Sequence, residues 1–126
     1  MKDPKCSVLC VDDDEDTLEM LRIALESGGY KMVSAINAEE GLKKAKADKP
    51  DLIIVDLMME EVDSGTGLVM KLRAAGLNAP IYMLSSVGDS LSRNIDPIEL
   101  GVAGIFQKPI DPTALLSTLK SKLAQK

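Results

Sequence analysis

Four groups of side chains stand out for the chemistry they could do together. They are the carboxylates of Asp12-Asp13-Asp14, the carboxylate of Asp56, the hydroxyls of Ser85-Ser86 and the ammonium of Lys108. Clustered carboxylates bind a hard cation through oxygen, and Mg²⁺ in particular takes one or two of them together with phosphate oxygens and waters. A carboxylate such as Asp56 can act as a nucleophile and become an acyl phosphate. A cation and Lys108 would stabilise charge on the transferring oxygens, and Ser85 could hydrogen-bond one of them. These are the parts of a phosphoryl-transfer site.

Taken singly, each group has a plainer explanation. Acids from Asp12 to Asp16 suit a helix N-terminus, where the macrodipole favours carboxylates. A lone Asp after a strand is usually a turn residue, and Lys108-Pro109 and Ser85-Ser86 fit surface turns and caps. The conjunction carries the weight, because each group directly follows a short apolar run and so falls at the same end of a strand. In an open α/β sheet, ligands bind at the carboxyl ends of the strands, near the point where strand order reverses.

The elements that would position these groups are legible. Apolar runs at Cys6 to Val11, Lys31 to Ala35, Leu52 to Val55, Ile81 to Leu84 and Gly104 to Gln107 are too short for helices, and several are rich in Val and Ile. Leu52-Ile53-Ile54-Val55 is apolar without a break, as strands covered on both faces are. Leu18, Leu21 and Leu25 recur at helical spacing before Gly28-Gly29. Asn37, with Glu40 three residues on, predicts a capped helix over Ala38 to Ala47. Leu68, Leu72 and Ala75 mark a third helix closed by Gly76. The segment Asp89 to Leu100 carries Ser90, Ser92, Asn94 and an internal Pro97, which predicts a short or bent helix. Asp111-Pro112 starts the last helix, with a stripe of Leu116, Leu119 and Leu123. Alternating strands and helices imply (βα)₅, a doubly wound α/β domain with a parallel five-stranded sheet.

Composition bounds the rest. A chain of 126 residues suits one domain spanning 1–126, with no output domain and no need of staples. Aromatics make up only 2%, so Leu, Ile, Val, Met and Ala must fill the core. There is no His, which excludes Ser-His-Asp and Cys-His catalysis, His-ligated metals and any phosphohistidine on this chain. Cys6 and Cys10 would stand about 13 Å apart on one strand face at ~3.3 Å per residue, too far for a disulfide, and read as core residues. The net charge of -5 opposes direct nucleic-acid binding. No Gly-rich phosphate loop follows the first strand, which argues against a nucleotide-binding protein. Lys2 and Asp3 open no signal peptide, and no apolar run approaches the ~20 residues of a membrane span, so the expected location is a reducing cytoplasm without membrane insertion.

The segments "VDDDED", "IIVDLMM", "IYMLSS" and "FQKPI" together resemble the response-regulator receiver family of two-component signalling, over essentially the whole chain. The resemblance implies a flavodoxin-like sheet of order 2-1-3-4-5. It implies Asp56 as phosphoacceptor and Asp12, Asp13, Asp56 and the Met58 backbone carbonyl as ligands of Mg²⁺. Ser85 takes the place of the switch hydroxyl, Ser86 that of the small residue after it, and Lys108 that of the lysine, with a cis Lys108-Pro109 bond. The donor would be a phosphohistidine on a histidine kinase or histidine phosphotransfer protein, docking near Leu18 to Leu25. The output would be contact with a downstream protein.

The chain also departs from that family. Glu60 stands where Pro is common, and the Asp-Gly turn reads Asp63-Ser64-Gly65. Ile105 occupies the position of a switching aromatic, with Phe106 beside it. Phosphorylation with signalling through a modified surface around Pro97 is therefore expected. By the resemblance, Met58 and Val87 stand at positions that in the family often tune hydrolysis, and neither side chain can orient an attacking water, which predicts slow loss of the phosphoryl group. Two other readings compete. A haloacid-dehalogenase-type phosphatase would need a second Asp where Met58 stands, so turnover beyond self-phosphorylation and self-dephosphorylation is not expected. A phosphorylation-independent binding module would keep the fold without the switch.

Overall fold

The computed structural model describes residues 6–56, 64–86, 102–108 and 110–123. Five strands lie among them: β1 (Ser7–Val11), β2 (Lys31–Ala35), β3 (Leu52–Asp56), β4 (Ile81–Ser86) and β5 (Gly104–Lys108). All neighbours pair in parallel, in the order β2-β1-β3-β4-β5. Four helices are described: α1 (Glu15–Ser27), α2 (Ala38–Asp48), α3 (Ser64–Ala74) and α4 (Pro112–Leu123). The doubly wound arrangement expected from the alternating pattern is therefore present. The segment Asp89 to Leu100, with Pro97, lies outside the described residues.

The period-two pleat of the strands divides the core in two. Val8, Cys10, Leu52, Ile54, Tyr82 and Leu84 face α1 and α4, meeting Leu18, Leu21, Leu25, Leu115 and Leu119. Leu9, Val11, Ile53, Val55, Ile81 and Met83 face the other way, toward Ala45 on α2 and Leu68, Val69 and Leu72 on α3. β3 is buried along its whole length, as an interior strand covered on both faces must be. Gly41 lets α2 approach β1 closely, since a Cβ there would stand 2.8 Å from a Val11 methyl.

The helix ends follow local chemistry. Asp14 caps α1, accepting hydrogen bonds from the Asp16 N–H (3.0 Å) and the Thr17 hydroxyl (3.0 Å). These bonds hold the Asp14 carboxyl below the usual range, the Thr17 contact first. Asn37 accepts from the Glu40 N–H at 2.7 Å, while the Glu40 carboxylate accepts from the Ile36 N–H at 2.9 Å. This is a capping box shifted by one residue. Asp111 accepts from the Thr113 N–H ahead of Pro112. After α1 the left-handed residue is Gly29 (φ 89°), and after α3 it is Gly76 (φ 88°).

Several expectations shift by a residue or two. Asp56, Ser85-Ser86 and Lys108 are the last residues of their strands, because polar side chains do not stop the backbone from pairing. Leu115, not Leu116, completes the buried stripe of α4. Leu116 is half-buried and leans over Gly28, where a Cβ would come within 2.6 Å of it. Both cysteines are free, but only Cys10 is fully buried. Burial, and then the charge of Asp12, pushes the Cys10 thiol far up, so it is a neutral core group.

Candidate functional site

β1 and β3 are adjacent, with Val11 beside Val55, so the residues that follow meet at one rim. Asp12 is fully buried and Asp56 is 4% exposed, while Asp13 is exposed. Carboxylate oxygens of Asp12, Asp13 and Asp56 all lie within 4.8 Å of one another. Lys108 reaches this cluster from the far edge of the sheet. Its Nζ stands 3.1 Å from Asp12 Oδ2 and 3.6 Å from Asp56 Oδ2. Ser85 is fully buried on β4, whose Leu84 pairs with Asp56. Asp12, Asp13, Asp56 and Lys108 are thus brought together, with Ser85 on the neighbouring strand. Met58 and Val87, Glu60, Asp63 and the Lys108-Pro109 bond, which involves Pro109, lie outside the described residues.

The electrostatics of the rim are unbalanced. Among the described residues, three clustered carboxylates face one ammonium. Burial of Lys108 opposes its charge, but the attraction of Asp12, then Asp56 and Asp14, outweighs it and leaves the lysine above its ordinary value. Asp12 Oδ1 accepts a hydrogen bond from the Asp14 N–H at 2.9 Å. Asp12 Oδ2 is buried and accepts none of good geometry, meeting Lys108 only as an ion pair. The ammonium that offsets its charge is shared with Asp56, so a further cation would be favourable there. An all-oxygen set of close carboxylates with one oxygen unsatisfied fits a hard divalent cation such as Mg²⁺.

The acidic run turns out to do two jobs. Asp12 and Asp13 belong to the cluster, whereas Asp14 and Asp16 build the start of α1. The Asp14 N–H bond to Asp12 links the two. Nothing in the residue pattern singles out this coupling, although the Asp-x-N–H turn it forms is a common local habit of Asp. The pleat also separates Ile105 from Phe106. Ile105 packs on the face of α2 and α3. Phe106 stacks on Tyr82 on the opposite face, with ring centroids 5.1 Å apart. Phe106 and Ile105 thus belong to opposite faces of the sheet.

Residues 8–120 match the family described as the response regulator receiver domain. The alkaline phosphatase synthesis transcriptional regulatory protein PhoP of Bacillus subtilis is 35% identical over 116 residues, which is 92% of this chain and 48% of that protein. The transcriptional regulatory protein GlrR of Escherichia coli is 34% identical over 94% of this chain and 26% of its own length. The chain thus spans about half or less of the curated relatives it matches. Among solved structures, the chemotaxis protein CheY4 of Vibrio cholerae is 31% identical with a TM-score of 0.83, covering 94% of this chain and 98% of that one. A response regulator from Chloroflexus aurantiacus is 33% identical with a TM-score of 0.82, covering 96% and 99%. Among the described residues, no helix is long and apolar enough to cross a membrane.

Proposed function

The chain belongs to the response regulator receiver family, and from that premise we propose that it is a phosphorylation switch in which Asp56 accepts a phosphoryl group from a phosphohistidine on a partner kinase or phosphotransfer protein. One observation carries the reading: the Lys108 ammonium stands between the buried carboxylates of Asp12 and Asp56, at 3.1 and 3.6 Å. An Asp56 oxygen would attack phosphorus, forming the acyl phosphate O–P bond as the P–N bond to imidazole breaks, and the imidazole leaves neutral after taking up a proton. Lys108, within reach of Asp56, would then exchange its contact with the carboxylate for one with a phosphoryl oxygen. Ser85 would donate its hydroxyl to another. Its position at the end of the strand beside β3 supports this role.

Asp12, Asp13 and Asp56 would hold Mg²⁺, with the Met58 carbonyl as a further ligand. The ion would supply positive charge at the transferring oxygens without proton transfer. Asp12 is suited to this by its unsatisfied Oδ2, and its other oxygen is fixed by the Asp14 N–H, so the start of α1 orients it. Exchanging a carboxylate for a phosphorylated one alters the partners available to Ser85 and Lys108. The output would be an altered contact with a downstream protein, and the chain acts as a switch rather than a turnover enzyme.

The test is intact mass after incubation with acetyl phosphate and Mg²⁺. The expected result is a labile gain of one phosphoryl group that disappears in Asp56→Asn and without Mg²⁺. Modification that persists in Asp56→Asn would overturn the assignment. Neither modification nor metal binding would favour the phosphorylation-independent binding module instead.

A further inference from the structure

The end of the sheet opposite the acidic rim carries a groove with the reverse charge. Two adjoining hollows, of about 510 and 420 Å³, share Lys49, Pro50, Asn78 and Ala79. Lys46 lines the first, and Lys122 and Asp51 line the second, the Asp51 carboxylate accepting from the Ser7 N–H at 2.8 Å. Lys46 and Lys49 are neighbours at the end of α2 and the turn before β3, and the fold brings Lys122 beside Lys49 from the end of α4. No ion pair engages any of the three among the described residues, nor does a hydrogen bond hold the Asn78 amide. Pro50 and Leu123, both buried, form an apolar floor.

Helix C-termini attract lysines without any ligand, which is sufficient for Lys46 and Lys122. It is not sufficient for Lys49. That residue follows α2 with φ 48° and ψ 63°, a left-handed conformation where Gly or Asn is the ordinary choice. A side chain with a Cβ is strained there, and strain that persists tends to mark a functional position. The acids of the phosphoacceptor site do not oppose anion binding here, since they sit at the other end of five-residue strands, roughly 16 Å away, and three lysines outnumber the one acid, Asp51, that lines the hollows.

We propose that this groove is a second ligand site, one that binds an oligophosphate anion through Lys46, Lys49 and Lys122. Hollows of this size fall within the range of small-molecule sites. The apolar floor and the Asn78 amide offer a seat for a nucleobase, so a nucleoside triphosphate should bind more tightly than inorganic triphosphate. No glycine-rich loop is needed, since ammonium groups supply the charge. The site is independent of Asp56, and its failure would leave the phosphoacceptor reading untouched.

The experiment is a titration of the protein, in EDTA and low salt, with inorganic triphosphate and separately with a nucleoside triphosphate, followed by amide NMR. Shifts are expected at Lys46, Lys49, Asp51, Asn78, Ala79 and Lys122, with Asp12, Asp56 and Ser85 unmoved. Tighter binding of the nucleoside triphosphate would assign the groove to nucleotides, and equal binding to oligophosphate alone. Lys46→Gln and Lys122→Gln should each weaken binding about fivefold, the scale of one exposed charge contact. Lys49→Gly should weaken it similarly while raising thermal stability, and Lys49→Arg should retain it. Unmoved amides at millimolar concentrations of both triphosphates, unaltered affinity in Lys49→Gly, or a less stable Lys49→Gly would each overturn the proposal.

Discussion

Replacing Asp12 with Asn tests the metal reading of the rim quantitatively. The Asp12→Asn side chain keeps an oxygen for the Asp14 N–H but removes the charge on the unsatisfied Oδ2. At an effective dielectric of about 20, the 3.1 Å contact with Lys108 is worth ~5 kcal/mol of attraction. At the same dielectric, oxygens of Asp12 and Asp56 within 4.8 Å repel by at least ~3.5 kcal/mol. Asp13 adds further repulsion, reduced by solvent. The metal-free variant should therefore lose no more than about 2 kcal/mol, the difference between these two figures. Its response to metal should change far more. With the ion bound as proposed, the parent protein should gain about 1.4 kcal/mol for each tenfold rise in Mg²⁺ above Kd, or roughly 5 °C in Tm for a domain of this size. Losing a buried charge partner costs about 3 kcal/mol, so the onset of that gain should move upward more than a hundredfold in Mg²⁺. Urea unfolding across a Mg²⁺ series measures both quantities. An Asp12→Asn protein with the parental Mg²⁺ onset would refute the reasoning, because Asp12 would then not face the ion.

Lys108→Met should destabilise the metal-free protein by about 3 kcal/mol, since it leaves the Asp12 and Asp56 charges without their cation, and Mg²⁺ should restore part of the loss. Urea midpoints with and without Mg²⁺ check this, and an unchanged metal-free midpoint would contradict it. Burial raises Tyr82 above its usual 10.0. The stability linked to its neutral form is complete below about pH 10 and is lost as pH rises through the folded value, by up to ~1.4 kcal/mol per pH unit. Tyr82→Phe, which keeps the ring against Phe106, should flatten that alkaline slope, and an identical slope in the two proteins would count against it. Met58 and Val87 predict a phosphoryl half-life of many minutes, read by intact mass after removal of the donor. A half-life of seconds would contradict the expectation.

How far the sequence can be read depends on whether a local pattern or a long-range contact decides each feature. β3 is plain because an interior parallel strand must be apolar on both faces, as Leu52 to Val55 are. The ends of β4 and β5 read short, because Ser85-Ser86 and Lys108 look like turn residues yet pair with their neighbours. The candidate cluster is legible since the topology brings strand carboxyl ends to one rim, wherever the exact boundaries fall. The division of labour within Asp12 to Asp16 is not. It depends on where β1 stops and α1 begins, a matter of one residue. Leu115 and Leu116 are hard to tell apart for a similar reason, since either completes a helical stripe and only the position of α1 decides. The lysine groove is invisible, because Lys49 and Lys122 are distant in sequence and meet only through the fold.

The central claim is that Asp56 itself carries the phosphoryl group. The most direct measurement is to phosphorylate the protein with acetyl phosphate and Mg²⁺, reduce the product with borohydride, and sequence its peptides by mass spectrometry. Reduction converts an aspartyl phosphate to homoserine, and the expected result is homoserine at position 56 alone. Homoserine at position 12 or 13, or none in a protein that binds Mg²⁺, would contradict the account.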